Sequence, residues 1–277
     1  MKDEARNRLL WLLPPKIAHS LIFHKSHGKW LNVKNPATYD ERIHALSVTT
    51  YKASYGKYAD KLAVREYVKK CGYEDMLIPV YGVYDNPANI DYDALPEKFI
   101  LMANHGSGDL FYKIVKAKSE LDRDAVCRQF DKALKTNYAK QWCQYQYRDI
   151  KPCIMAMEYL EDGENDRLDD YKVICSDGKP ISILVCTDRD KGKDYYSPEW
   201  EYQEYSKEKV RSGKVMEKPA LLDKMLKAAE SLSAPFPLSR IDFYIVNGKL
   251  YFGEVTLTPA AGIHHNLTKE GQTALKG

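Results

Sequence analysis

Hydrophobic and polar positions alternate with two different periods along this chain, and the switches between them outline the elements. Residues 36–70 read as helical: Thr38 and Glu41 form a capping-box pattern, and residues 60–68 place apolar side chains at helical spacing above a polar face. Residues 77–84 read as a strand. A short apolar run at 99–103 predicts a buried strand that ends in Asn104-His105-Gly106-Ser107-Gly108, a loop by composition. Residues 110–115 suit the returning strand of a hairpin. Residues 120–145 predict helix and residues 153–160 another strand, followed by an acidic loop over 161–170. Strands are expected at 171–175 and 181–187, with 188–218 polar and irregular. Residues 219–233 predict a helix with Pro219 in its first turn. Two final strands, 240–246 and 250–257, flank Asn247-Gly248, the strongest short hairpin signal. Sheets built from hairpins beside helices give an α+β class.

Composition narrows the function classes. The chain has 277 residues, 42 Lys and Arg against 39 Asp and Glu, and a net charge of +3. That balance argues against a nucleic-acid partner, which needs a strong basic excess on one face. Six cysteines occur with no C-x-x-C spacing, which speaks against a zinc ribbon and for free thiols in a reducing, cytoplasmic setting. No apolar run reaches the ~20 residues of a membrane span. Residues 5–25 carry Arg6, Arg8, Lys16 and Lys25 on a segment that suits either a packing helix or a peripheral contact at the inner face of a membrane.

The last hairpin carries the sharpest chemistry. Side chains alternate along a strand, so Arg240, Asp242 and Tyr244 share a face. Pairing across Asn247-Gly248 sets Tyr244 opposite Tyr251 and brings Asp242 within one residue of register of Glu254. Two neighbouring carboxylates repel unless a cation or proton stands between them. Oxygen donors of this kind suit Mg²⁺, which is held by one or two carboxylates plus substrate phosphates. The plainer alternative is an Asp242–Arg240 surface pair with Glu254 exposed.

The motif R-x-D-x-x-x-x-N-G-K-x-Y-x-x-E-V-x-x-x-P, starting at Arg240, resembles the metal-binding hairpin of ATP-grasp ligases. The resemblance extends to D-K-L-A-V-R at Asp60 to Arg65, N-H-G-S-G at 104–108, E-Y-L at 158–160, D-Y-K at 170–172 and Y-F-G-E at 251–254. Taken in order with L-N-V-K-N-P-A-T-Y at 31–39, these segments are similar to the TupA-like ATP-grasp family of bacterial surface-polysaccharide gene clusters. The resemblance implies an ATP-grasp fold: two α/β lobes clamping a nucleotide, preceded by a mostly helical region. The expected division is 1–95, 96–160 with the Gly-rich loop, and 161–277 with the metal hairpin.

By the same resemblance, Arg240 is the catalytic cation, and Asp242, Glu254 and Thr256 hold Mg²⁺. Arg65, Asn104, His105, Gly106, Ser107 and Gly108 attend the ATP phosphates, with Lys113, Lys116 or Lys172 as candidates to replace the strand lysine that Met102 displaces, and Glu158, Tyr159 and Leu160 read the adenine. His264 and Arg189 are candidate substrate contacts. The implied cofactors are ATP and Mg²⁺. The implied substrates are an amine and a carboxylate, such as a uronic acid of a surface-polysaccharide precursor, joined as an amide through an acylphosphate. Two departures stand out: Met102 occupies the position where the family's strand carries a phosphate-binding Lys, and Thr256 replaces an Asn. They leave open a binding protein without ligase activity. A phosphotransferase on the same fold or a glycosyltransferase is a further alternative, the latter supported only by Asp188-Arg189-Asp190.

Overall fold

The computed structural model describes residues 2–162, 168–187 and 192–277. Helices α1 (Lys2–Trp11) and α2 (Pro15–His27) form a hairpin, followed by α3 (Tyr39–Thr49), α4 (Gly56–Ala59) and α5 (Val64–Lys70). Thr38 caps α3 by accepting the Glu41 amide at 3.2 Å, as the capping pattern predicts. The helical reading of 36–70 thus becomes three separate helices. Strands β1 (Val80–Tyr84), β2 (Phe99–Ala103), β3 (Tyr112–Val115) and β4 (Ile154–Glu158) form an antiparallel sheet in the order β1-β4-β2-β3. Helix α6 (Arg123–Lys135) covers one face, where Val126, Phe130 and Ala133 meet Phe99, Leu101 and Ile154. It stops ten residues short of the expected 145, and 3₁₀ turns continue the chain. Because β1 belongs to this sheet, the division expected after residue 95 cuts through a unit of the fold.

The second sheet has six strands in the order β10-β9-β5-β6-β7-β8. They are β5 (Asp170–Ser176), β6 (Lys179–Thr187), β7 (Gly192–Tyr196), β8 (Tyr202–Gln203), β9 (Leu238–Val246) and β10 (Lys249–Thr256). Helix α7 (Leu222–Ser233) seals one face with Met225, Ala229 and Leu232 against Val173, Ile183, Ile241 and Phe243. Pro219 lies outside the helix, and its carbonyl accepts the Leu222 amide at 3.0 Å. Strands β7 and β8 fall where irregular chain was expected. On the other face, Ile174, Leu184 and Leu238 pack at one end against Tyr39 and Ile43 of α3 and against Leu275, just beyond α8 (Lys269–Ala274). The opposite end of that face is left for a cavity. No helix among the described residues is long and apolar enough to cross a membrane.

Candidate active site

A cavity of about 790 Å³ lies between the two sheets. Strand alternation decides what each wall presents. On β2, Phe99, Leu101 and Ala103 point into the α6 core, so Ile100 and Met102 face the cavity, joined by Ile114 and Met157. On β5 and β9, Val173, Ile241 and Phe243 take the α7 side. Asp170, Lys172, Arg240, Asp242 and Tyr244 therefore line the opposite wall.

Glu254 reaches this wall through a β-bulge. The ladder runs regularly from Lys249↔Val246 to Phe252↔Phe243, with Asn247 (φ 50°) and Gly248 (φ 72°) making the tight turn. It resumes at Val255↔Ile241, so Gly253 and Glu254 both stand opposite Asp242. In a regular ladder Glu254 would face Ile241 and the apolar core, because a one-residue slip reverses a side chain's face. The extra residue turns it to the cavity. Gly253 suits the spot: a Cβ there would stand 3.1 Å from the Asp242 carbonyl.

Three cations and three carboxylates interlock on this wall. Arg240 grips Asp242 with two bonds of 2.7 and 2.6 Å. Its Nη2 also lies 3.4 Å from Glu254 and 3.2 Å from the Thr256 hydroxyl, which in turn donates to Glu254 at 3.1 Å. Lys172 bridges Asp242 at 2.9 Å and Asp170. Lys61 reaches Glu254 at 3.0 Å and the Gly106 carbonyl at 3.0 Å. Burial pushes the Glu254 carboxyl up, but Lys61, Arg240 and Lys172 outweigh it and hold the group near 2. Asp170 goes the other way, to about 6: burial dominates, with Lys172 offsetting only part of it, and one Asp170 oxygen is buried without a partner. The surrounding cations thus favour the Glu254 anion, whereas burial of Asp170 works against its charged form.

The donor chemistry fits Mg²⁺. Asp242 and Glu254 offer hard oxygens on one wall. Among the described residues no three His, Cys, Asp or Glu stand close enough to hold a metal by themselves. A pair of carboxylates completed by phosphate oxygens is the usual Mg²⁺ arrangement, whereas an all-protein cage is not. Thr256 braces Arg240 and Glu254 and is not on the cavity wall.

The glycine-rich loop divides into two roles. Gly106, Ser107 and Gly108 line the cavity. Gly106 leaves room for the Phe111 ring, which a Cβ would meet at 2.3 Å, and Gly108 has φ +91°. Asn104 and His105 point away, contrary to their expected phosphate role, because both are needed to anchor the loop. The Asn104 amide donates to Asp60 (2.9 Å) and the Lys151 carbonyl (3.0 Å) and accepts from the Cys153 amide (2.8 Å). His105 pairs with the Ala133 carbonyl at 3.2 Å and packs edge-on against Phe111. Arg65 and Lys172 do line the cavity. Lys116 is exposed and off the wall, as are the partly buried Glu158, Tyr159 and Leu160, whose neighbour Met157 takes the wall position. Arg189 lies outside the described residues, as do Asp188 and Asp190.

His264 lines the cavity, held there by the turn that precedes it. Ala260 (φ 46°) and Ala261 (φ 52°) are left-handed, at a cost of roughly 1–2 kcal/mol each. Strain of this kind persists where surroundings over-determine it. Here buried Asp40 of α3 supplies that constraint, accepting the His264 backbone amide at 2.9 Å and pairing with its Nδ1 at 2.5 Å. Gln272 donates to the same carboxylate at 2.6 Å. Burial would raise Asp40, but the His264 and Gln272 bonds hold it near 2. Taking the carboxylate as acceptor, His264 carries a proton on Nδ1, and its Nε2 makes no hydrogen bond to a described residue. Lys61, Asp170 and Asp40 are the site residues the motifs passed over. Lys61 and Asp170 left traces, as the second letter of the D-K-x-x-x-R segment and the first of D-Y-K, and Asp40 left none.

Residues 41–275 match the family described as TupA-like ATPgrasp. No curated protein matches. D-alanine–D-alanine ligase from Bacillus anthracis, complexed with ATP, is 16% identical over 76% of this chain and 62% of its own length, with a TM-score of 0.44. The corresponding ligase from Helicobacter pylori is 13% identical over 79% and 60%, with a TM-score of 0.42. D-cycloserine synthetase DcsG is 12% identical over 79% and 68%, with a TM-score of 0.47. The chain spans about three-fifths of the length of the two D-alanine–D-alanine ligases.

Proposed function

The chain belongs to the TupA-like ATP-grasp family, and on that premise we propose that it uses MgATP to join a carboxylate to an amine. The observation that carries this reading is the sorting of one cavity into an apolar wall and a wall of interlocked charges. A flat, apolar purine suits Ile100, Met102 and Met157. Polyphosphate suits Lys61, Arg65, Lys172 and Arg240, with Gly106 to Gly108 offering backbone N–H groups. Asp242 and Glu254 would hold Mg²⁺, which neutralises phosphate charge.

In the first step the acceptor carboxylate attacks the γ-phosphate, releasing ADP and leaving an acylphosphate. Arg240 and Lys61 stabilise charge on the transferring group. In the second step the amine nitrogen attacks the acyl carbon and the C–O bond to phosphate breaks. His264 Nε2 takes the amine proton, with Asp40 fixing the ring as a triad acid fixes its histidine. A uronic acid of a polysaccharide precursor is the acceptor class we infer from the family's genetic setting. A second reading, nucleotide binding without ligation, is favoured by Met102 on the wall where the family places a lysine.

The test is ADP release from MgATP with glucuronate or galacturonate, using hydroxylamine to trap the acylphosphate as a coloured iron hydroxamate. Uronate-dependent hydroxamate supports ligation. Tight ATP binding with no ADP release across a panel of carboxylates supports the second reading.

A further inference from the structure

The α1–α2 segment exposes several large apolar side chains among basic residues. Helix α2 buries Ala18, His19, Ile22 and Phe23. A helix packed on one face ordinarily shows polar residues on the other, yet Ile17 is 49% and Leu21 39% exposed. Leu9 (68%), Leu12 (82%) and Trp30 (64%) extend the patch, and Trp30 is stacked on His24 of α2 with ring centroids 4.2 Å apart. These five stand out among the exposed large hydrophobics of the described residues, since the remaining four are scattered at Tyr81, Val83, Tyr202 and Val215.

Charge on this segment is mostly basic. Residues 1–39 hold Lys2, Arg6, Arg8, Lys16, Lys25, Lys29 and Lys34 against Asp3 and Glu4, a net +5. The whole chain is net +3, so everything outside this stretch carries a net −2. The near-neutral total hides a basic pole.

We propose that this face docks on an anionic lipid bilayer, with Leu9, Leu12, Ile17, Leu21 and Trp30 entering the headgroup–acyl boundary and the lysines and arginines meeting lipid phosphates. Leucine and tryptophan beside basic residues on a helix too short to span is the pattern of an in-plane contact. The two helices have 10 and 13 residues. A second copy of the chain fits poorly, because two such faces repel each other. The hairpin itself is firmly mounted: Trp11 stacks on Tyr145 at 5.1 Å. His27 Nε2 meets the Gly262 carbonyl at 3.3 Å, two residues before His264. Docking would therefore hold the His264 end of the cavity beside the hairpin that meets the lipid. The proposal does not depend on the ligase reading.

The test is vesicle flotation with phosphatidylglycerol–phosphatidylcholine (1:1) against pure phosphatidylcholine, in 50 and 500 mM salt. The variants are L12S/I17S/L21S and K16E/K25E/K29E. All six side chains are exposed, so both variants should fold, as circular dichroism and unchanged urea unfolding would verify. The wild type should float with the anionic vesicles, at least tenfold more tightly than with phosphatidylcholine, and lose binding in high salt. Each variant should bind at least tenfold more weakly. Failure of the wild type to float overturns the proposal, as does binding unchanged in both variants. Concentration-dependent dimerisation in ultracentrifugation, broken by the same variants with no vesicle binding, assigns the face to a second copy and overturns it too.

Discussion

The two walls of the cavity are built by the same rule and do opposite things. Each is one face of an antiparallel sheet whose other face is sealed by a helix, α6 on one side and α7 on the other. On the four-stranded sheet the free face is Ile100, Met102, Ile114 and Met157. On the six-stranded sheet it is Asp170, Lys172, Arg240, Asp242 and, by way of the bulge, Glu254. The difference is one of compensation. Buried charge is tolerated only when paired, and each of these five groups has an opposite charge within 3.4 Å. That pairing lets one wall stay ionised beside an apolar partner. Under the proposed function, phosphates and metal would exchange into bonds the wall already makes with itself.

The comparison breaks most sharply at Asp242. Asp242→Asn removes the charge shared by Arg240 and Lys172, leaving two buried cations beside a single remaining pair of carboxylates. ATP turnover should fall at least 1000-fold, about 4 kcal/mol in barrier, measured as ADP release with the protein's folded state checked by circular dichroism.

A second break comes from pH, at a buried histidine pair. His19 of α2 and His44 of α3 touch through their Nδ1 atoms at 2.9 Å between the two helices. Burial lowers His19 to about 4, and burial with the neighbouring His19 lowers His44 to about 3. Their folded values lie below the unfolded 6.5, so the unfolded chain binds protons first. The stability they confer is present above pH 6.5 and drains away as pH falls toward 4 and then 3. Urea unfolding should lose on the order of 3 kcal/mol between pH 7 and pH 4.5, and the slope should flatten in H19N/H44N. Asp40, held near 2, adds a separate loss only below about pH 4.

Asn104→Ala tests the link between the walls. Its amide ties the root of the glycine loop to Asp60, whose Oδ1 also accepts the Leu62 amide at 2.9 Å, while the Asn104 carbonyl accepts the Lys61 amide at 3.0 Å. Losing the side chain's three bonds should cost about 2 kcal/mol in urea unfolding, and Kd for ATP should rise as Lys61 loses its support. Met102→Lys sharpens the comparison instead. A cation at the cavity-facing position of β2 should tighten ATP by about tenfold, ~1.4 kcal/mol, in titration calorimetry.

Much of this was readable in the sequence where local rules govern. The Asn247-Gly248 turn and the two-residue alternation of β9 put Arg240 and Asp242 on one face, and the pairing of Tyr244 with Tyr251 follows from the turn. The bulge at Gly253 was not readable, because a ladder can absorb or omit one residue without changing its hydrophobic pattern. Strand β7 was hidden for a related reason: Gly192, Lys193 and Asp194 are polar, and Asp194 is buried only because it accepts the Ser212 amide at 3.1 Å. Lys61 and Asp40 escaped because their partners, Glu254 and His264, lie about 200 residues away. Helix α6 ended early where the chain turns at Thr136, whose hydroxyl bonds back to the Lys132 carbonyl at 2.7 Å.

The most direct test of the account is titration calorimetry of ATP into the wild type and into D242N/E254Q, with and without Mg²⁺. The account predicts Mg²⁺-dependent binding in the wild type that disappears in the double variant while circular dichroism stays unchanged. Binding of ATP that is equally strong without Mg²⁺, or retained in the double variant, would contradict it, as would a folded wild type that binds no nucleotide.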